Sequence, residues 1–382
     1  MIKRKNSIEN RNINFDLLRI VSCYLVITIH TLGASKFLFT SDSFEWKVFN
    51  LYNSFARACV PLFFMISGYF LLSYSKEKLM KNKYFFIKKS FKLFLLYLFS
   101  SLFYNSYQLI ALYGIKNLNI KEILNLITNS IFNPKYHLWF LPTMITIYLI
   151  FPLIYSFVQN NMKSCPYYIK YILVLFFIVG VLKPTLTDHI FPLLNINCSL
   201  TYKLSVVTQQ QSNYFYLLIS YITYFVLGYI INIKINNIKI KNITLLFIYF
   251  LSSFANALLN YIYSYKNNID GNLFYEYNSI TTFISAICLF IIFSKIYKNN
   301  MIKANIRKAI EICSKNTLFV YVSHIFILEL LQYIFNLNAV SFNPIFSVPL
   351  LSLLIFILCE IISLFINIII NYFKRCTYKR RV

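Results

Sequence analysis

The chain has 382 residues, 58% hydrophobic and 19% aromatic, with a mean hydropathy of +0.61. Apolar runs recur from end to end with no polar block of domain size, which excludes both a soluble globular protein and a soluble domain on one anchor. The formal charge of +25 does not point to nucleic acid. The lysines fall in short loops between apolar runs, where they orient spans and meet anionic lipid headgroups.

In chain order the sequence predicts an all-α, polytopic transmembrane helical bundle of about ten spans. They fall near 14–34, 55–74, 91–113, 137–158, 167–183, 213–233, 243–263, 278–297, 317–336 and 345–372, each close to the roughly 20 residues a bilayer requires. The first span is read as a retained helix, because its apolar run is long and no small-residue cleavage site follows His30. Of the 37 Lys and Arg residues, 27 lie on one set of alternating loops and 8 on the other. That asymmetry places both termini in the cytoplasm of a multi-pass cell-membrane protein.

The first span, NFDLLRIVSCYLVITIHT, carries Arg19 and His30. Eleven residues at about 100° each return to within roughly 20° of whole turns, so both project from one stripe, with Cys23 and Val26 on it. They stand roughly 16 Å apart along the axis. Asn14 is positioned to cap the helix, and Asp16, three residues before Arg19, to steady its guanidinium. Two readings of the pair stay open. Arg19 snorkels and His30 caps, or both serve a site inside the bundle, where ionisable groups are costly unless they function.

RACVPLFFMISGYFLL follows, with Arg57 expected near the outer end of its span at a depth close to His30. Pro61, Ser67 and Gly68 read first as packing residues that bend the helix and admit a neighbour. Lys89 and Lys92, three apart at the mouth of the third span, share a helix face. They are either solvated topology signals or, with Arg19 on the same side, a grip for phosphates. The fourth span opens with YHLWFLP, whose His137 and Trp139 either anchor the helix at the interface or stack on a sugar. Asp188 and His189 read as a solvated loop. FVYVSHIFILELL puts His324 and Glu329 in an apolar run, and Glu360 follows in the last span. These must face the bundle interior, with interhelical contacts the expected role for both glutamates. The eight cysteines include no CxxC and no Cys/His set at zinc spacing, so no metal is expected. Only Cys198 would face outside, which leaves no extracellular disulfide within the chain.

FDLLR from Phe15, the arginine–ten residues–histidine spacing, VPLFFMISGYFLL, HLWFLP and YVSHIFIL together resemble the acyltransferase 3 family of membrane acyltransferases over nearly the whole chain. The last two segments are similar to those of a subgroup with enterobacterial-type O-acetyltransferases and the membrane part of vancomycin-resistance serine racemases. The resemblance implies one membrane acyltransferase domain over 1–382. Acyl-CoA, in particular acetyl-CoA, is then the cytosolic donor, its phosphates on Arg19, Lys89 and Lys92. The acceptor is a hydroxyl of a cell-surface carbohydrate, met by His137, Trp139, Arg57 and His324. His30 acts as general base, with Arg19 as the second catalytic residue of the signature, in direct transfer without an acyl-enzyme; Cys23 is the alternative nucleophile. One departure stands out: the family has two arginines three apart where this chain has Lys89 and Lys92. Lysine keeps the charge but loses bidentate geometry. Two other classes remain, a transporter or flippase-like permease lined by Arg19, His30 and Glu329, and a structural partner of an export assembly.

Single cysteines at Lys203 and Lys266 in a cysteine-free background should react with an impermeant thiol reagent on whole cells. Cysteines at Lys83 and Asn305 should react only after permeabilisation. Outside labelling at Lys83 would invert the orientation and leave the donor on the wrong side.

Overall fold

The first helix of the computed structural model, α1 (Ile13–Gly33), is opened by Asn12 rather than Asn14: the Asn12 Oδ1 accepts the Asn14 N–H at 3.1 Å. Asn14 lies inside the first turn and its Nδ2 instead reaches the Ser294 carbonyl at 3.5 Å. The structure describes residues 12–33, 35–80, 84–113, 120–194, 205–267, 273–296 and 302–379. Cys198, Thr201 and Lys203 lie outside them, as do both chain ends. Among the described residues there is no strand, and nine helical segments are long and apolar enough to cross a membrane. The expected span at 91–113 lies within α5 (Phe85–Tyr113), whose first turns carry Lys88, Lys89 and Lys92.

The second expected span is two helices. Ser43, accepting the Trp46 N–H at 3.2 Å, caps α2 (Phe44–Ala56), and α3 runs over Cys59–Leu72. Pro61 explains the break. Within a continuous helix its ring would meet the carbonyl four residues back, which is that of Arg57, and it has no N–H to donate. The helix therefore stops at Arg57 and restarts in Ala58–Cys59, where the Ala58 carbonyl accepts the Leu62 N–H at 3.1 Å. Arg57 thus sits at an interruption inside the apolar segment Phe44–Leu72, not at its outer end.

The remaining helices are α4 (Lys76–Met80), α6 (Ile120–Phe132), α7 (Phe140–Ser164), α8 (Pro166–Phe177), α9 (Ser205–Ile233), α10 (Asn242–Asn267), α11 (Ile280–Lys295), α12 (Ala304–Phe335) and α13 (Pro344–Lys379). The expected loop 114–136 therefore holds a helix of its own, α6. The span expected at 167–183 runs on to Leu193 through wide π-helical turns at Ile178–Leu182 and Thr185–Ile190. Extra residues in those turns let the helix pass Pro184 without a stop. Asp188 and His189 are accordingly helical: His189 is buried beside Phe274, with ring centroids 5.4 Å apart, rather than solvated on a loop.

The chain divides into two compact units, residues 1–70 with 173–382, and residues 71–172. In the first, α1 packs against α12, α13 and α11, and α10 against α11 and α2. α3 and α9 meet at glycines: a Cβ on Gly68 would strike the Phe225 carbonyl, and one on Gly228 the backbone of Met65. This is the close approach that small residues permit between helices without a hydrophobic drive. In the second unit α5 packs on α7 through Phe86 and Phe151, 4.1 Å between centroids. The Tyr97 hydroxyl donates to the Ile131 carbonyl of α6 at 2.9 Å, and Asn105 Nδ2 to Ser130 Oγ at 3.1 Å.

Gly68→Val should lower stability by about 1–3 kcal/mol or more through overpacking against backbone that cannot yield. Gly33→Ala, where the new methyl meets open space, should be close to neutral. Thermal unfolding of the purified protein in detergent measures both.

Candidate active site

At one end of α1, Asp16 is buried and makes two contacts at once. Its Oδ1 pairs with Arg19 Nη1 at 3.3 Å and accepts the Ser314 hydroxyl of α12 at 2.6 Å. The Arg19 guanidinium lies over the Phe70 ring, 4.7 Å from its centroid, with its side chain still 28% exposed. A carboxylate fixed by a neighbouring helix and an aromatic face together orient a cation that remains accessible, which is what a binding arginine needs. Cys23, one turn on, is buried and directs its Sγ to the Thr317 carbonyl at 3.8 Å. That contact engages the thiol in the α1–α12 seam.

At the other end His30 meets His324, ring centroids 5.1 Å apart and planes tilted by 42°. The sequence named both histidines and did not show that they meet. The His324 Nδ1 lies 2.7 Å from the Tyr321 carbonyl and 3.2 Å from that of Val320. A nitrogen facing carbonyl oxygens must carry the hydrogen, so the tautomer is set and Nε2 is the basic nitrogen, pointing away from α12's own backbone. His30 and Tyr277 are both half-buried. Arg57 lies within electrostatic range of His30.

The cations of that region rest on aromatic rings. Arg57 stands 4.7 Å from the Tyr275 centroid and 5.7 Å from that of Tyr277. Buried Lys36 shares the Tyr275 ring at 4.5 Å and reaches Trp46 at 5.1 Å. Sequence reasoning missed Lys36, Tyr275 and Tyr277. Lys36 read as a loop charge, and nothing in its spacing tied it to residues more than two hundred positions away. Glu360 behaves as an interhelical contact, its Oε2 accepting Asn316 Nδ2 at 2.8 Å.

The second unit holds the other sequence candidates. Lys89 places Nζ 4.6 Å from the Phe85 ring and 5.8 Å from that of Tyr148, and Lys92 is exposed. His137 is buried in the turn Tyr136–Trp139, its ring edge-on to Tyr104 at 4.9 Å. Trp139 is half-buried on the same turn. Among the described residues no cluster of three or more His, Cys, Asp and Glu assembles.

A bundle of apolar helices with a histidine pair, half-buried His30 against buried His324, at one end of its first helix and an aimed arginine at the other is a multi-pass membrane protein with polar groups set among its helices. The chain belongs to the acyltransferase 3 family, whose acyltransferase domain matches residues 12–365. Part of it is also similar to an amino-acid racemase of Enterococcus faecalis, 34% identical over 140 residues. That match covers 36% of this chain and 18% of the racemase, so the chain spans only a small part of that relative. No solved structure matches.

Asp16→Ala should cost about 1.5–3 kcal/mol, the worth of hydrogen bonds to a charged group, and Ser314→Ala about 1 kcal/mol. Because both variants remove one shared contact, their combination should fall short of additivity in thermal unfolding.

Proposed function

We propose that the protein is an integral acyltransferase of the cell membrane that moves an acetyl group from cytosolic acetyl-CoA to a hydroxyl of a cell-surface carbohydrate. The observation that carries this reading is the His30–His324 contact on the helix that also bears the aimed Arg19. One helix then supplies a general base and a phosphate-binding cation. Their axial separation of roughly 16 Å fits a donor whose thioester stands off from its phosphates on a long, thin arm. Arg19, Lys89 and Lys92 are the cations for those phosphates. For Lys89 and Lys92 this means point-charge attraction, since an ammonium does not form the guanidinium fork.

At the reacting end the acceptor O–H proton passes to His30 as the acceptor oxygen attacks the thioester carbonyl carbon. The C–S bond then breaks and the protonated imidazole returns the proton to the departing thiolate, giving ester and free thiol. His324, its Nδ1–H committed to Tyr321, holds the ring surface against which His30 is oriented. Trp139 offers the aromatic face for a sugar, His137 supports its turn, and Arg57 lies on the reacting side. With Cys23 engaged with Thr317, direct transfer needs no covalent enzyme intermediate.

A second reading, a permease, is favoured by one observation, the interruption of the second span at Arg57 and Ala58. Broken helices with charged groups at the break are the way transporters hold substrates at mid-membrane. The two readings separate cleanly, because a permease has no reason to bind acyl-CoA.

Membranes given radiolabelled acetyl-CoA should pass label to envelope carbohydrate. His30→Ala should lower transfer by at least about 10²–10⁴-fold, the contribution of a positioned proton acceptor, with acetyl-CoA binding intact. Arg19→Ala, and Lys89→Ala with Lys92→Ala, should instead raise KM for the donor about tenfold or more while leaving most of kcat. Wild-type transfer by His30→Ala would remove it as the base, and absence of donor binding in the wild type would favour the permease.

A further inference from the structure

Arg57 has a property that its expected place at a span end does not require. Its Nε is shielded from solvent and makes no hydrogen bond, and among the described residues no carboxylate forms an ion pair with it. An unmet donor on a full charge inside an apolar bundle is expensive, and proteins retain one chiefly where a ligand completes it.

Its surroundings hold it in place and leave the Nε unsatisfied. Tyr275 and Tyr277 offer ring faces to the cation, and the Tyr277 hydroxyl is also hydrogen-bonded to the Arg57 side chain, which leaves Nε as the unmet donor. Tyr275 is itself fixed, its hydroxyl donating to Asn50 Oδ1 at 2.5 Å while Asn50 Nδ2 reaches the Ala257 carbonyl at 2.8 Å. Lys36 on the same ring adds a second buried positive charge. The helix break adds a third positive element, because α3 begins at Cys59, two residues beyond Arg57, and a helix start carries partial positive charge. All three favour negative charge close to Arg57; the Glu276 carboxylate lies within electrostatic range of it and offsets part of that charge, and His30 lies within the same range.

Resting on the acyl-transfer reading, we propose that Arg57 is a catalytic residue whose guanidinium receives the negative charge that develops on the acyl carbonyl oxygen. As the acceptor oxygen bonds to the carbonyl carbon and its proton goes to His30, the C=O π pair moves onto oxygen and is met by the Arg57 Nε–H. The pair returns as the C–S bond breaks, and the thiolate takes the proton from His30. The donor is satisfied only while the tetrahedral species exists, which is where stabilisation accelerates a reaction.

The test uses the full-length protein in detergent, with acetyl-CoA alone and in native membranes. Arg57→Gln should lower both acceptor-free hydrolysis of acetyl-CoA and label transfer by about 10²–10³-fold, with acetyl-CoA affinity within about twofold of wild type. Arg57→Lys keeps the charge but loses the Nε donor, and should fall about tenfold in both rates with affinity unchanged. It decides the matter if Arg57→Gln does not fold. Loss of transfer with hydrolysis intact would make Arg57 an acceptor-binding group and overturn the proposal. So would a parallel loss of acetyl-CoA affinity, or undiminished rates in Arg57→Lys. If the wild type neither transfers label nor releases thiol, it is the acyl-transfer reading that fails, whatever the variants do.

Discussion

A low-dielectric interior tolerates an ionisable side chain only where the protein supplies its partners, and α1 is arranged around that constraint. Asp16 is buried, so it must be satisfied, and Arg19 and Ser314 both answer it. The consequence is mechanical as well as electrostatic. Ser314 belongs to α12, so this one carboxylate registers α1 against the helix that bears His324. From Asp16 to His30 is fourteen residues, and from Ser314 to His324 is ten. Two helices tied at one end and packed along their length have little freedom to separate the histidines at the other.

The second span answers the same constraint differently. Where α1 keeps its backbone bonds and pairs its charge, the chain at Arg57 gives up helical continuity. Pro61 determines where, through its conflict with the Arg57 carbonyl. Non-helical backbone at such a place is tolerated only where protein or a polar hollow surrounds it. The aromatic rings of Tyr275 and Tyr277 provide the surround while leaving the Arg57 Nε uncommitted. Aromatic faces stabilise a cation without consuming donors, so they suit a residue that must hold position and still bind something else.

Much of this was legible from the residues alone. The helical period put Arg19 and His30 on one stripe before any fold was known, and Asp16 three residues away from Arg19 was a local pairing that the structure contains. Gly68 read as a packing residue for the same local reason, that its missing side chain lets backbone approach. The meeting of His30 with His324 was not readable, because periodicity gives the face of a helix but not which helix it meets. The sequence places Arg57 at a span end because it draws the span over 55–74, whereas the apolar segment begins at Phe44 and runs to Leu72. Only the clash geometry of Pro61 shows that the run is two helices. Asp188 and His189 were taken for a loop because Pro184 and the polar TLTDH look like a stop, and a π-turn leaves no simple signal in sequence.

The fixed tautomer of His324 links these points. Its Nδ1–H is held by a carbonyl of its own helix, so the ring cannot turn without stranding a buried donor. A ring that cannot turn offers His30 a constant neighbour. A general base must accept a proton at a defined place and then give it back, and reorientation between the two events would uncouple them. The bundle achieves that rigidity with backbone carbonyls rather than with a carboxylate. That choice holds the imidazole in one orientation without burying another negative charge beside the position where Arg57 is proposed to meet one. On the proposed mechanism the polar groups around His30 divide their work, with His324 supplying geometry and Arg57 supplying charge.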